Sequence, residues 1–136
     1  MKINTTVNFE VTGWEPKIYD ESIESAKLSR VTIKKKFSGE LEGDSIAEGL
    51  FCQCGDGSAS YIVLERVTGK MAINGEGRSG TFVIHHGGIM SGGAPMGQFG
   101  DVIPGSGTGG FAGIGGKVLF QHDESGAIIK MDLTFE

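Results

Sequence analysis

Residues 59–68, Ala59-Ser60-Tyr61-Ile62-Val63-Leu64-Glu65-Arg66-Val67-Thr68, decide the reading of this 136-residue chain. In extended backbone, successive side chains point to opposite faces. Ala59, Tyr61, Val63, Glu65 and Val67 therefore share one face, and Ser60, Ile62, Leu64 and Arg66 share the other. Apolar groups stand on both. The stretch predicts a strand covered on both sides, in which Glu65 and Arg66 are not both simply solvated. Just before it, Cys54-Gly55-Asp56-Gly57-Ser58 carries an Asp-Gly pair, whose positive φ angles suit a tight hairpin.

The same two-residue rhythm recurs on either side. Val7, Phe9 and Val11 alternate with Thr6, Asn8, Glu10 and Thr12 over residues 5–12. Trp14-Glu15-Pro16 ends that strand, because proline brings no donor to a ladder. Residues 17–27 read as a loop with a turn of helix. Over 28–38, Val31, Ile33, Lys35 and Phe37 face one way, and Arg30, Thr32, Lys34 and Lys36 the other. A turn at Ser38-Gly39-Glu40 leads into a strand over 41–53. Beyond residue 68, Gly69 breaks the run, Met71 and Ile73 mark a short strand, and Asn74-Gly75 signals another hairpin. Residues 80–86 form the next strand, with Phe82, Ile84 and His86 on one face. A strand near 95–103 follows, then the alternation of Val118, Phe120 and His122. A turn at Asp123-Glu124-Ser125-Gly126 leads to a last strand over 127–135.

This makes about eight strands with turn signals roughly every ten residues, and no segment keeps helical periodicity beyond two turns. Isoleucine and valine number 13 and 8 against 6 leucines, a bias toward strands. The expected fold is all-β: one domain over 1–136, an antiparallel β-barrel that closes to remove its edges, with a sandwich as the alternative. An eight-stranded barrel just holds one small ligand.

Charge excludes several functions. Twelve basic against 17 acidic residues leave a net charge of −5, which phosphate backbones repel. Lys34-Lys35-Lys36 alternates faces in a strand and forms no single patch. Lys35 falls on the apolar face of its strand. The favoured reading is a strand-end lysine that snorkels to water, because burying an unpaired charge is costly; the other is a polar group inside a cavity. The N-terminal Met1-Lys2-Ile3-Asn4-Thr5-Thr6 has no apolar core of a signal peptide, and no run of ~18 apolar residues occurs. The expected compartment is the cytoplasm, with Cys52 and Cys54 as buried or half-buried free thiols. His85, His86 and His122 lie at no metal-binding spacing to them, so neither metal nor cofactor is expected.

Seventeen of the 24 glycines fall in residues 69–116. Gly105-Ser106-Gly107-Thr108-Gly109-Gly110 satisfies the dinucleotide pattern G-x-G-x-x-G, but Gly113, Gly115 and Gly116 follow at once. Each would cost ~1 kcal/mol in the helix such a site requires. Gly116-Lys117 fails as a phosphate loop, since Val118 stands where a hydroxyl must reach magnesium. These glycines suit sharp turns and close backbone packing instead.

A resemblance rests on Trp14-Glu15, on Leu64-Glu65-Arg66-Val67 followed by Gly69, on Gly80-Thr81-Phe82 leading to His86-Gly87-Gly88, and on Pro104-Gly105-Ser106-Gly107-Thr108-Gly109. With these, the chain resembles a domain-of-unknown-function family of small bacterial proteins whose members look like allene oxide cyclase and dirigent β-barrels. Gly107-Thr108-Gly109-Gly110-Phe111 with Gly116 is similar to the turn before the late strands of those barrels. The resemblance implies an antiparallel, calycin-like barrel, a central cavity and self-association. It carries over no catalytic residue.

Three readings of function follow. In the first, the barrel binds a small, largely apolar molecule, lined by Phe9, Val31, Lys35, Phe37, Tyr61, Glu65 and Phe82, with Lys35 and Glu65 paired across the lumen. In the second, an isomerase or cyclase uses Glu65 as general acid or base, its pKa raised by burial. In the third, the barrel is filled and acts through an oligomeric surface. The apolar groups on both faces of 59–68 predict a homodimer or higher oligomer.

Overall fold

The computed structural model describes residues 1–123 and 126–136, with the backbone alone for His122 and Asp123. The facing of His122 and the turn through Glu124 and Ser125 lie outside the described residues. Eight strands run in sequence order: β1 (Lys2–Asp20), β2 (Ala26–Gly39), β3 (Leu41–Cys54), β4 (Ala59–Ile73), β5 (Glu76–Ser91), β6 (Ala94–Val102), β7 (Ile114–Asp123) and β8 (Gly126–Phe135). Among the described residues the helical content is one 3₁₀ turn at Gly109–Phe111. No helix there is long and apolar enough to cross a membrane.

Each strand pairs antiparallel with the next, and β1 pairs with β8 from Lys2↔Thr134 to Asn8↔Ile128, so the sheet is a ring. The seam between β6 and β7 is the shortest, with only Asp101↔Lys117 and Val102↔Gly116 in register.

Three expectations need correction. First, Trp14-Glu15-Pro16 does not end β1, and 17–27 is not a loop with a helical turn; β1 continues to Asp20. A bulge between Val11 and Gly13 adds one residue and reverses the alternation, so odd positions face inward before it and even positions after it. Trp14 then stands opposite buried Ile33, and Pro16 opposite buried Val31. Proline is tolerated because β8 leaves β1 after Asn8, so the far edge of β1 carries no ladder there. Second, Gly69 does not break β4, which runs unbroken from Ala59 to Ile73. Gly69 faces Gly43 across the ladder, and a Cβ there would lie 2.7 Å from the Glu42 carbonyl oxygen. The glycine lets two strands meet closely. Third, β5 begins at Glu76 and extends to Ser91, well beyond 80–86.

The dinucleotide-like glycine run has a structural role at the base of the ring. It supplies the partners that β6 does not give to the first half of β5. Ile103 N donates to Val83 O (2.9 Å), Ser106 Oγ accepts from Val83 N (3.0 Å), Thr108 N donates to Thr81 O (2.8 Å), and Thr108 Oγ1 accepts from Thr81 N (3.1 Å). The loop then delivers Phe111 edge-on to Phe82 at 5.2 Å, both fully buried, which closes the base.

The approach needs Gly80, because a Cβ there would collide with the Thr108 carbonyl, whose peptide is held by the bonds just named. Gly80→Ala is expected to lower stability by about 1–3 kcal/mol in urea unfolding. Gly55→Ala, where an added Cβ meets nothing within 4 Å, serves as the near-neutral control. Equal effects from the two would refute the close-approach account.

Candidate functional site

Inside the ring, the apolar packing falls into two clusters. The larger one, at the base, includes Phe9, Phe37, Val67, Phe82, Ile84 and Phe111. The smaller consists of Val31, Ile33, Ala47 and Val63, with Phe51 and Tyr61 against it. Between them lie four buried polar side chains: Lys35, Ser45, Glu65 and His86.

Strand register brings these four together. Lys35 and Ser45 are direct partners across β2 and β3. Glu65 on β4 stands two positions from Val67, the partner of Ser45, and His86 on β5 stands two positions from Ile84, the partner of Glu65. Such diagonal neighbours lie within reach of long side chains. All four positions face inward.

Glu65 is 0 % exposed. Its Oε1 accepts from Lys35 Nζ and from His86 Nε2, each at 2.9 Å, and its Oε2 accepts from Ser45 Oγ at 2.7 Å. Lys35 Nζ also sits 4.2 Å from the centroid of Phe120 and 4.9 Å from that of Phe9, a cation held over two rings. Burial pushes the Glu65 carboxyl up, but the His86 hydrogen bond and the Lys35 charge outweigh it and bring the pKa down to about 2. The sequence expectation of a raised Glu65 pKa is therefore corrected. A carboxylate with three donors stays ionised. The expectation that Lys35 snorkels to water is corrected too: it points inward because Glu65 compensates its charge.

His86 takes the complementary state. Burial lowers its pKa more than the Glu65 carboxylate raises it, so the ring is neutral near pH 7. An ionised Glu65 can only accept, so Nε2 carries the proton and Nδ1 keeps a lone pair. That Nδ1 is buried without a hydrogen-bond partner. Of the groups in this layer the imidazole, not the carboxylate, is the one able to take up a proton.

Above the smaller cluster the ring opens. Trp14, Pro16, Ile18, Ser29, Val31, Phe51 and Gln53 line a recess of about 420 Å³. Rings in contact lead down from it. Trp14 meets Phe51 at 5.5 Å, Phe51 stacks on Tyr61 at 5.5 Å, Tyr61 meets His86 at 6.1 Å, and His86 lies 4.2 Å from Phe120.

Of the residues expected from sequence to line a cavity, Lys35 and Glu65 pair as anticipated. Val31 faces the open recess, and Tyr61 lies in the ring contacts beneath it. Phe9, Phe37 and Phe82 instead fill the basal cluster. Sequence reasoning missed Ser45, His86, Trp14 and Phe51 as site residues. For His86 a signal existed, since it alternates with Phe82 and Ile84. Trp14 was hidden by the bulge. Among the described residues no three His, Cys, Asp or Glu side chains gather as metal ligands. Cys52 and Cys54 are free and half-buried, and burial pushes the Cys54 thiol up.

Glu65→Gln strands the Lys35 charge in the interior and is expected to cost about 3–5 kcal/mol in urea unfolding. Because the two groups share one interaction, the Lys35→Met, Glu65→Gln double variant should lose less than the two single losses added together. A single variant within ~0.5 kcal/mol of wild type would contradict a sealed layer.

Acid should act in two stages. Below 6.5 the unfolded chain protonates His86 while the folded chain resists, so stability falls as pH falls. Between 4.5 and about 2 the unfolded chain also binds the proton that folded Glu65 refuses, and the loss steepens. Urea midpoints measured against pH should show both stages in wild type, and the lower one should be reduced in Glu65→Gln. Identical pH profiles for the two proteins would exclude the Glu65 contribution.

Comparison with known proteins supplies a family. A family model described as a protein of unknown function, DUF3224, matches residues 5–135. No curated protein matches the chain. A crystal structure of a protein with unknown function from the DUF3224 family of Shewanella oneidensis MR-1 is similar to this chain. It has 31 % identity and a TM-score of 0.82, and the alignment covers 100 % of this chain and 97 % of that one. With a solved relative alike over its whole length and a family model matched almost end to end, this chain belongs to the DUF3224 family.

Proposed function

We propose that the protein binds a small, largely apolar molecule at the open end of its ring. One observation carries this reading: the end recess of about 420 Å³ is walled by Trp14, Pro16, Ile18, Val31 and Phe51, while the opposite end is plugged by Phe111. A concave apolar site with few polar groups is the usual form of a small-ligand site. Trp14 is half-exposed there, at 50 %, and a flat ring can lie against it and Phe51. Ser29 and Gln53 supply the polar contacts at the rim.

This narrows the sequence expectation of a central cavity to one end. The ionised carboxyl, held by three donors, favours binding over acid catalysis by Glu65. Eight antiparallel strands in sequence order with one open end support reading the ring as a calycin-like barrel, akin to those of the allene oxide cyclases. The two free thiols suit a reducing compartment, the cytoplasm.

Trp14 is the only tryptophan, so intrinsic emission reports on the recess alone. A panel of fatty acids, oxylipins and phenolics should contain molecules that quench or shift this emission and raise the melting temperature. Phe51→Ala should weaken such binding about tenfold. If no member of the panel alters either signal, the binding reading fails.

A further inference from the structure

We infer that the outer face of β3–β6 is a self-association surface, on which a second copy of this chain packs sheet against sheet. In a ring with water outside, outward positions should be polar. That holds on β1 at Asn4, Thr6, Asn8 and Glu10, on β2 at Arg30, Thr32 and Lys34, and on β8 at Lys130, Asp132 and Thr134, outward positions that are all polar. It fails on the neighbouring strands. Ile46 and Leu50 of β3, Ile62 and Leu64 of β4, Ile89 of β5 and Phe99 of β6 are all outward and between 43 % and 57 % exposed.

These six are contiguous. Leu50 pairs with Ile62, Ile62 with Gly87, and Gly87 with Phe99, so one ladder row crosses four strands with no charged residue in it. Gly87 belongs to that row because the Phe99 ring lies over it; a Cβ at Gly87 would come within 2.8 Å of that ring. Leu64 lies in the next row, opposite Glu48 and His85.

The occupant follows from area and charge. Six large side chains at about half exposure present roughly 500–600 Å² of apolar surface, at the upper limit for a monomer and most of the ~800 Å² that one partner contributes to a stable interface. Several of the charges beside the patch are matched within the chain, while Lys34 and Arg66, the two partners of Ile46, stand at its margin without an ion pair among the described residues. Arg30 Nε meets Glu48 at 2.8 Å, Lys117 Nζ meets Asp101 at 2.7 Å, and His85 Nε2 lies 3.5 Å from Asp101. A largely apolar surface whose flanking charges are mostly paired is complementary to its own image about a two-fold axis. On the convex outside of the ring the two copies meet along the central strands of the face, β4 and β5, at the ~10 Å spacing of packed sheets.

The test is mass in solution. At roughly 100 µM chain, light scattering should give twice the 14.3 kDa chain mass. Each copy carries a net charge of −5, so added salt should tighten an apolar pairing; an ionic one would loosen. Leu64→Glu, at an exposed position that folding does not need, should raise the dissociation constant about thirtyfold or more with an unchanged circular dichroism spectrum. Lys130→Glu, on the polar side of the ring, should leave it unchanged. A wild-type monomer at the highest concentration, or a Leu64→Glu protein that stays paired, overturns the inference. Neither result bears on Trp14 and the open recess.

Discussion

A fully buried carboxylate organises this molecule. Glu65, on β4, draws one donor from each of three other strands: Lys35 from β2, Ser45 from β3 and His86 from β5. Each bond spans a ladder whose register must be correct to the residue, because a slip of one position would turn the side chain to the outer face. Hydrophobic contacts tolerate exchange of partners, whereas a buried charge tolerates little, so the layer favours one register over its competitors. It also divides the interior, with close packing toward the base and a shallow aromatic-lined volume toward the open end.

The two ends differ because two local backbone devices act in opposite senses. At the base, the glycine-rich segment after β6 brings Ser106 and Thr108 onto the exposed edge of β5 and sets Phe111 as a plug. At the other end, the β1 bulge changes the parity of the strand, so that Trp14, Pro16 and Ile18 turn to the recess. A closed end and an open end leave one recess, rather than a uniformly filled tube.

The interior and exterior of the wall each break the simple polarity rule once. Inside, a lysine, a glutamate, a serine and a histidine occupy positions where alternation predicts apolar groups; the lysine and the glutamate neutralise each other, and the serine and the histidine hydrogen-bond to the carboxylate. Outside, isoleucine, leucine and phenylalanine occupy positions that should be wet. The first departure is resolved within the chain; the second is the motive for the inferred pairing with a second copy.

Much of the architecture can be read from the residues alone. Alternation with a period of two is a local property, and with turn chemistry it marks about eight strands, the Asp56-Gly57 and Asn74-Gly75 hairpins, and the placing of Lys35 and Glu65 each on a largely apolar strand face; which face turns inward is decided by the closed sheet. Turn chemistry excludes the helix that Gly105-Ser106-Gly107-Thr108-Gly109-Gly110 would need to bind a dinucleotide. Other features depend on what another strand does. Whether Pro16 ends a strand depends on whether β8 still pairs beside it. Whether Gly69 breaks β4 depends on how near Glu42 comes. Whether Glu65 is an acid or a permanent anion depends on donors 20, 21 and 30 residues away in sequence. Backbone periodicity and turn preference act over a few bonds and are written in order along the chain. Charge compensation, close approach and edge exposure act through space, and they acquire values only once the sheet has come round to meet itself.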